Sequence, residues 1–189
     1  MGTQANSGRQ RLLEAAHRLF YTHGVHGVGI DTVIEEAGVA KMTLYRNFGS
    51  KDELVAAYLT ERDEYWRNRW RARTSEGERR ERVRGFFDVL VEWAAEKDFR
   101  GCAFVNAHGE HDQGPATLAA ITAHKEWVRA HLREITGDEA LAEQLFALME
   151  GAAVITSITG GSSTVHQARI AALTLLDAQP EREYQATGG

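Results

Sequence analysis

Apolar residues recur along this chain every three or four positions, not every two, which predicts helix nearly throughout. Leu12, Ala16, Leu19, Phe20 and His23 predict a helix over 9–23, and Gly24 is a good stop. Two short helices follow. One covers 31–37, with Val33, Ile34 and Ala37 on one side and Gly38 at its end. The other covers 41–48, with Leu44 and Phe48 one turn apart and Gly49 after them. Ser50-Lys-Asp-Glu53 is a capping box, so a long helix is expected from there to about Arg73.

A polar stretch at 74–78 reads as a loop. Val83, Phe86, Phe87, Leu90, Val91 and Trp93 then predict a helix over 79–96. A short helical piece is expected within 99–110, after Gly101. Pro115 suits the first position of a helix that runs to about Ile135. Thr136-Gly-Asp-Glu139 is a second capping-box candidate. Beyond it Leu141, Leu145, Leu148, Ala152 and Ile155 alternate spacings of 4 and 3, a coiled-coil-like seam. A last helix covers 165–178. The expectation is an all-α fold of about nine helices, with no convincing strand.

The 189 residues fit one large domain or two small ones. The two prolines agree with long helices. A net charge of −5 speaks, at first, against a nucleic-acid partner. The average conceals a gradient. Residues 1–51 carry six basic and four acidic groups, whereas residues 85–189 carry seven and fifteen. Such asymmetry suggests an anion-facing head and a body with another task. The single Cys102 allows no internal disulfide, and a reducing cytoplasm is the expected location. No apolar run approaches 18 residues and the start lacks an apolar signal core, so neither a spanning helix nor a secretory leader is expected.

The two short helices joined at Gly38-Val39-Ala40 have helix-turn-helix proportions, with helix 9–23 as their support. The second would present Lys41, Met42, Thr43, Tyr45, Arg46 and Asn47. Lys and Arg suit phosphate or guanine, Asn suits adenine, and Thr and Tyr hydroxyls suit phosphate. Lys51, in the first turn of the next helix, adds a charge to open backbone N–H groups.

These residues carry a resemblance. Gly24, Val33-Ile-Glu-Glu-Ala-Gly-Val39, Lys41-Met-Thr-Leu-Tyr-Arg-Asn-Phe-Gly-Ser-Lys51 and Leu54 resemble the signature of the tetracycline-repressor (TetR) family. Gly29 and Ala40 depart from it, because Ser or Thr often caps the helix at each place. His26 and Asp31 lie near that edge as substitutes. The resemblance implies a DNA-binding head over 1–50 and a ligand-binding and dimerisation body over 51–189. It also implies a homodimer on a near-palindromic operator, with half-sites roughly 34–36 Å apart. A small, largely apolar effector would release the repressor.

In the body, Arg100-Gly-Cys-Ala-Phe-Val-Asn106 and Glu110 resemble a segment of many TetR-type regulators. Trp66, Trp70, Phe86, Phe87, Trp93, Phe104 and Trp127 are bulky aromatics on helices that must pack together. With Asn106, His108, His124 and Thr156 as polar groups they suit a small-molecule cavity, or else plain core. The dimer surface is expected on the last two helices, with Leu141, Leu145, Leu148, Ala152 and Ile155 on one and Ala168, Ala172, Leu175 and Leu176 on the other, although the first seam could instead serve a helix of the same chain.

Other chemistry ranks lower. His108-Gly-Glu-His111-Asp112 bunches metal-capable groups but reads as a polar turn. The Arg-rich run 62–84 lies in a stretch, 52–84, that holds nine Arg against eight acids, so the charge nearly cancels and a solvated helix face is expected. No phosphate loop or catalytic constellation stands out, so neither an enzyme nor a cofactor is expected. The alternatives are a DNA-binding protein without an effector and, remotely, a helical metal protein or enzyme using His108 and His111.

Overall fold

A computed structural model describes residues 7–110 and 114–179. Among these residues are nine helices and no strand: α1 Gly8–His23, α2 Ile30–Ala37, α3 Lys41–Phe48, α4 Lys51–Thr74, α5 Arg79–Ala94, α6 Ala103–Gly109, α7 Pro115–Thr136, α8 Glu139–Thr159 and α9 Ser163–Asp177. The all-α fold agrees with the helical periodicity of the sequence.

Helices α1 to α3 form a small head. Leu12, Leu13, Ala16 and Phe20 of α1 pack with Val33, Ala37, Leu44 and Phe48, all buried. Gly38 makes the turn between α2 and α3 at φ +60°, the left-handed region that favours glycine. Arg11 on α1 donates to its carbonyl at 2.8 Å and so ties the turn to the supporting helix. The head has no core wholly its own, because Leu54, Val55 and Tyr58 of α4 complete it. Phe20 meets Tyr58 edge-on, with ring centres 5.7 Å apart.

The first turn of α4 is held as expected, with Ser50 Oγ accepting from Glu53 N at 3.1 Å. The second capping expectation is corrected. Asp138, not Thr136, caps α8, accepting from Leu141 N at 2.8 Å. The Thr136 hydroxyl donates to the carbonyls of Leu132 and Asp138 instead.

Helix α4 continues out of the head to pack on α7 and α5. Helices α8 and α9 pack on each other, α8 also on α7, and α9 on α5. Gly85 lets α5 approach the end of α4, since a Cβ there would stand 2.4 Å from the Arg73 carbonyl oxygen. By length and composition α8 is apolar enough to cross a bilayer. In this fold one side of it forms core.

That side changes the seam expected between subunits. Leu141, Leu145 and Ala152 of α8, and Ala168, Ala172 and Leu176 of α9, lie inside the protomer's own core. A 4,3 repeat marks the face that meets a helix, and here that helix belongs to the same chain. Leu148 and Leu175 are half-buried and Ile155 is exposed. The apolar surface still open on these helices includes Ile155, Ile158 and Ile170.

One long-range cap joins α4 to α7. Asp52 accepts from the backbone N–H of Ala116 at 2.9 Å and of Thr117 at 3.0 Å, and from the Thr117 hydroxyl at 2.6 Å. Burial works against its charge, but these three bonds outweigh it and hold the pKa below the usual carboxylate value. Asp52→Ala is expected to lower unfolding stability by about 1–2 kcal/mol at pH 7 in urea titrations. Because the folded pKa is depressed, this contribution is present above about pH 4 and fades as the pH falls through the folded value.

Candidate functional site

The first candidate surface is the outer side of α3. Lys41, Met42, Tyr45, Arg46 and Asn47 are exposed there, and Thr43 is half-buried. Met42 keeps 72% of its surface open, unusual for an apolar side chain with no partner. Lys41 pairs with Asp31 of α2 at 3.0 Å, so Asp31 serves this lysine and caps nothing. That bond raises the Lys41 pKa. Asn47 donates to its own helix, to Thr43 O at 2.7 Å. No side chain caps α2 or α3, where Gly29 and Ala40 occupy the cap positions, so their first amides stay available.

Lys51 begins α4 and is half-buried. Burial lowers its pKa, and the nearby charge of Glu110 opposes that shift. His26 lies apart from α3, in the α1–α2 connection. Its side chain is exposed, and its backbone N–H is bonded to the Glu110 carboxylate.

The second candidate is a cavity among α4, α5, α6, α7 and α8. Trp66, Trp70, Trp93, Phe104 and His124 line it, as the sequence leads one to expect. Leu90, Cys102, Ala103, Met149, Glu150 and Ala153 complete the wall. The enclosed space is about 20 Å³, room for one water. Trp66 and Trp93 meet at 4.8 Å, and His124 stacks on Phe104 with ring centres 3.6 Å apart.

The other aromatic candidates fall outside the wall. Phe86 stacks on Trp70 from behind at 5.0 Å, and Phe87 packs on Phe86. Trp127 stacks on Trp70 at 6.1 Å without reaching the cavity. Thr156 is buried one turn beyond Ala153 and is not part of the lining. Asn106 is a correction: it is exposed and donates to Arg100 O at 3.0 Å, closing the start of α6. His108 is exposed too, on an open groove between α6 and α7. His111 lies outside the described residues. Among the described residues no three His, Cys, Asp or Glu side chains converge as a metal site.

Two polar pairs flank the cavity. Asp63 binds His124 Nδ1 at 2.8 Å and Arg67 at 2.6 Å. Lys125 binds Glu150 at 2.5 Å and reaches Cys102 Sγ at 3.5 Å. The sequence hides these pairs because their members lie 61 and 25 positions apart.

Helix α6 belongs to both sites. Ala103 and Phe104 face the cavity. Just before the helix, Arg100 N donates to the Tyr21 hydroxyl at 2.9 Å, and that hydroxyl donates to Gly101 O at 3.3 Å. Just after it, Glu110 accepts from Val25 N at 2.9 Å and from His26 N. Both ends are therefore fastened to the head.

With this geometry in hand, likeness to known proteins is informative. Residues 12–58 match the pattern described as "Bacterial regulatory proteins, tetR family". The HTH-type transcriptional regulator LmrA of Bacillus subtilis is 29% identical over 171 residues, 82% of this chain and 89% of that protein. An HTH-type transcriptional regulator of Staphylococcus aureus is 38% identical over 63 residues, 33% of this chain and 34% of its own length. A TetR-family transcriptional regulator of Streptomyces coelicolor, known by crystal structure, is 32% identical with a TM-score of 0.83, and the match covers 90% of this chain and 94% of that one.

The chain belongs to the TetR family. It is accordingly a DNA-binding transcriptional regulator, and its relatives are regulators, not enzymes. In this TetR-family fold α3 is the second helix of the helix-turn-helix, the position that enters the major groove.

Three histidines are withdrawn from solvent, His17 partly, in the head, and His124 and His131 fully, in the body. Burial lowers the pKa of His17, His124 and His131, and in each case a neighbouring carboxylate opposes the shift without cancelling it. A depressed folded value means the unfolded chain takes up protons first. Unfolding stability is thus expected to hold above about pH 6.5 and to decline as the pH falls below it. Urea titrations between pH 7.5 and 5 check this. A flat profile would contradict the neutral state of these rings.

Proposed function

We propose that this regulator is a repressor released from its operator by a small, largely apolar effector, and that it acts as a cytoplasmic homodimer. The observation that carries the reading is α6, which lines the cavity on one side and is fastened to the head at both ends. A ligand larger than the space for one water must displace the cavity walls. Movement of α6 would pull on the α1–α2 connection through Glu110 and on α1 through Tyr21. Coupling of this kind is reciprocal, so operator DNA would weaken effector binding by the same factor.

The division of labour is a head over 1–50 and a ligand-binding and dimerisation body over 51–189, with α4 crossing between them. On the DNA side, Thr43 and Arg46 are assigned to bases, with Lys41, Met42 and Asn47 beside them. Tyr45 and Lys51 are assigned to phosphates, with His26 at the margin. Lys41 would leave Asp31 to do so, a small loss for an exposed pair. On the dimer side, the open faces of α8 and α9 support pairing around a two-fold axis in a four-helix arrangement. Ile155, Ile158 and Ile170 are its apolar contacts, with Leu148 and Leu175 at the edge.

Two measurements test the reading. DNA selected from a random pool should be near-palindromic. Against that site Arg46→Ala is expected to cost roughly 1–3 kcal/mol and relax one base preference, whereas Lys51→Ala should weaken all sequences alike and reduce the salt slope by about one. Recovery of no two-fold site would overturn the operator model. Ile158→Glu is expected to shift sedimentation from dimer to monomer and abolish tight operator binding. An unchanged dimer would place the interface elsewhere.

A further inference from the structure

The cavity offers two readings of its ligand's polarity, and the residues around it favour one. Positive charge comes close through Lys125 and Arg67, which would suit a carboxylate or phosphate. Neither is available. Lys125 is paired with Glu150 and Arg67 with Asp63, and no Lys or Arg lines the cavity. The charged residue that does line it is Glu150, itself paired with Lys125, so the cavity presents no net positive charge to an anion.

His124 sharpens this. It is 3% exposed and lies in the cavity wall, its ring stacked on Phe104. Asp63 accepts from Arg67 with one carboxylate oxygen and meets His124 Nδ1 with the other. A carboxylate in that place fixes the imidazole proton on Nδ1, as carboxylate–histidine pairs do elsewhere. Nε2 then carries a lone pair and accepts. Among the described residues it has no hydrogen-bond partner, so it is the polar atom His124 has left for a molecule in the cavity. The rest of the wall is mostly apolar or aromatic, with Trp66, Trp70 and Trp93 in it, and a negative charge buried there would lack solvation.

We infer that the cavity selects an aromatic effector bearing an O–H or N–H donor and no negative charge, with His124 Nε2 as the acceptor that reads the donor. This rests on the effector reading above and narrows it to a ligand class. A buried acceptor left unpaired penalises a ligand of the same shape that lacks the donor. A carboxylate would meet the Nε2 lone pair where it needs a donor, with no unpaired cation in the wall to offset its charge. Asp63 and Arg67 are positioning residues, since they set which ring nitrogen holds the proton without touching the ligand.

The test uses the full-length protein with matched probes. Naphthalene, quinoline and biphenyl each carry a hydroxyl, a methoxy or a carboxylate at one position. Titration calorimetry gives affinity, and a labelled fragment of the selected operator reports release. The hydroxyl compounds are expected to bind about tenfold more tightly than the methoxy compounds, and the carboxylates to bind most weakly. His124→Phe keeps a stacked ring and removes the acceptor, so the hydroxyl preference should vanish while methoxy affinity stays within about twofold. If that variant does not fold, the series on the unaltered protein decides by itself.

Carboxylates binding as well as hydroxyl compounds would overturn the inference. So would equal affinity for hydroxyl and methoxy compounds, although probes that release the operator without a donor preference would leave the effector reading standing. If no probe binds or releases the operator, the donor inference and the apolar-effector reading fall together.

Discussion

The body of this regulator is organised by its hold on α4. That helix starts inside the head, where Leu54, Val55 and Tyr58 close the core beneath α1. It ends against α5 and α7, where Trp66 and Trp70 form the cavity wall. Two aspartates on it reach α7 at separate levels, Asp52 at the first amides and Asp63 at His124. Buried polar bonds of this kind are costly to break singly, since the partner is left without an alternative. They fix the register of α7 on α4 more sharply than apolar contact alone, which tolerates sliding. The cavity, the position of α6 and the docking of the head all follow from that register.

Helix α8 shows how one composition serves two ends. Its apolar residues encircle it more widely than a single buried stripe requires. Leu141, Leu145, Ala152 and Met149 face the protomer's interior, while Ile155 and Ile158 stay open. A sequence pattern counts apolar positions but does not say whose surface they meet. The 4,3 repeat therefore located a real packing face without saying which helix it meets.

The same limit explains what else was legible. Helices announced themselves through local signals: Gly24, Gly38 and Gly49 as stops, Ser50 as a cap and Pro115 at a first turn. The head carried a motif whose residues lie close together in the chain, so it could be read directly. The cavity was half visible. Large aromatics are few enough to suspect, and Trp66, Trp70, Trp93, Phe104 and His124 do line it. Asn106 and His108 shared their segment but are exposed, because Ala103, Phe104 and Ala107 supply the buried side of α6. Leu90, Met149 and Ala153 look like any core residue in sequence. Glu150 and Asp63 gain meaning only from partners on other helices. The roles of Glu110 and Tyr21 as fastenings of α6 had no local signal at all.

The placement of the indole rings has an optical consequence. The chain contains four tryptophans. Trp66, Trp70 and Trp93 line the cavity, and Trp127 stacks on Trp70. Helices α1 to α3 contain none. The protein's tryptophan emission therefore originates in one aromatic cluster. Energy absorbed by any indole passes readily among neighbours only 4.8–6.1 Å apart. The body thus carries a built-in optical probe of its own interior, and the DNA-facing head adds no indole signal to it.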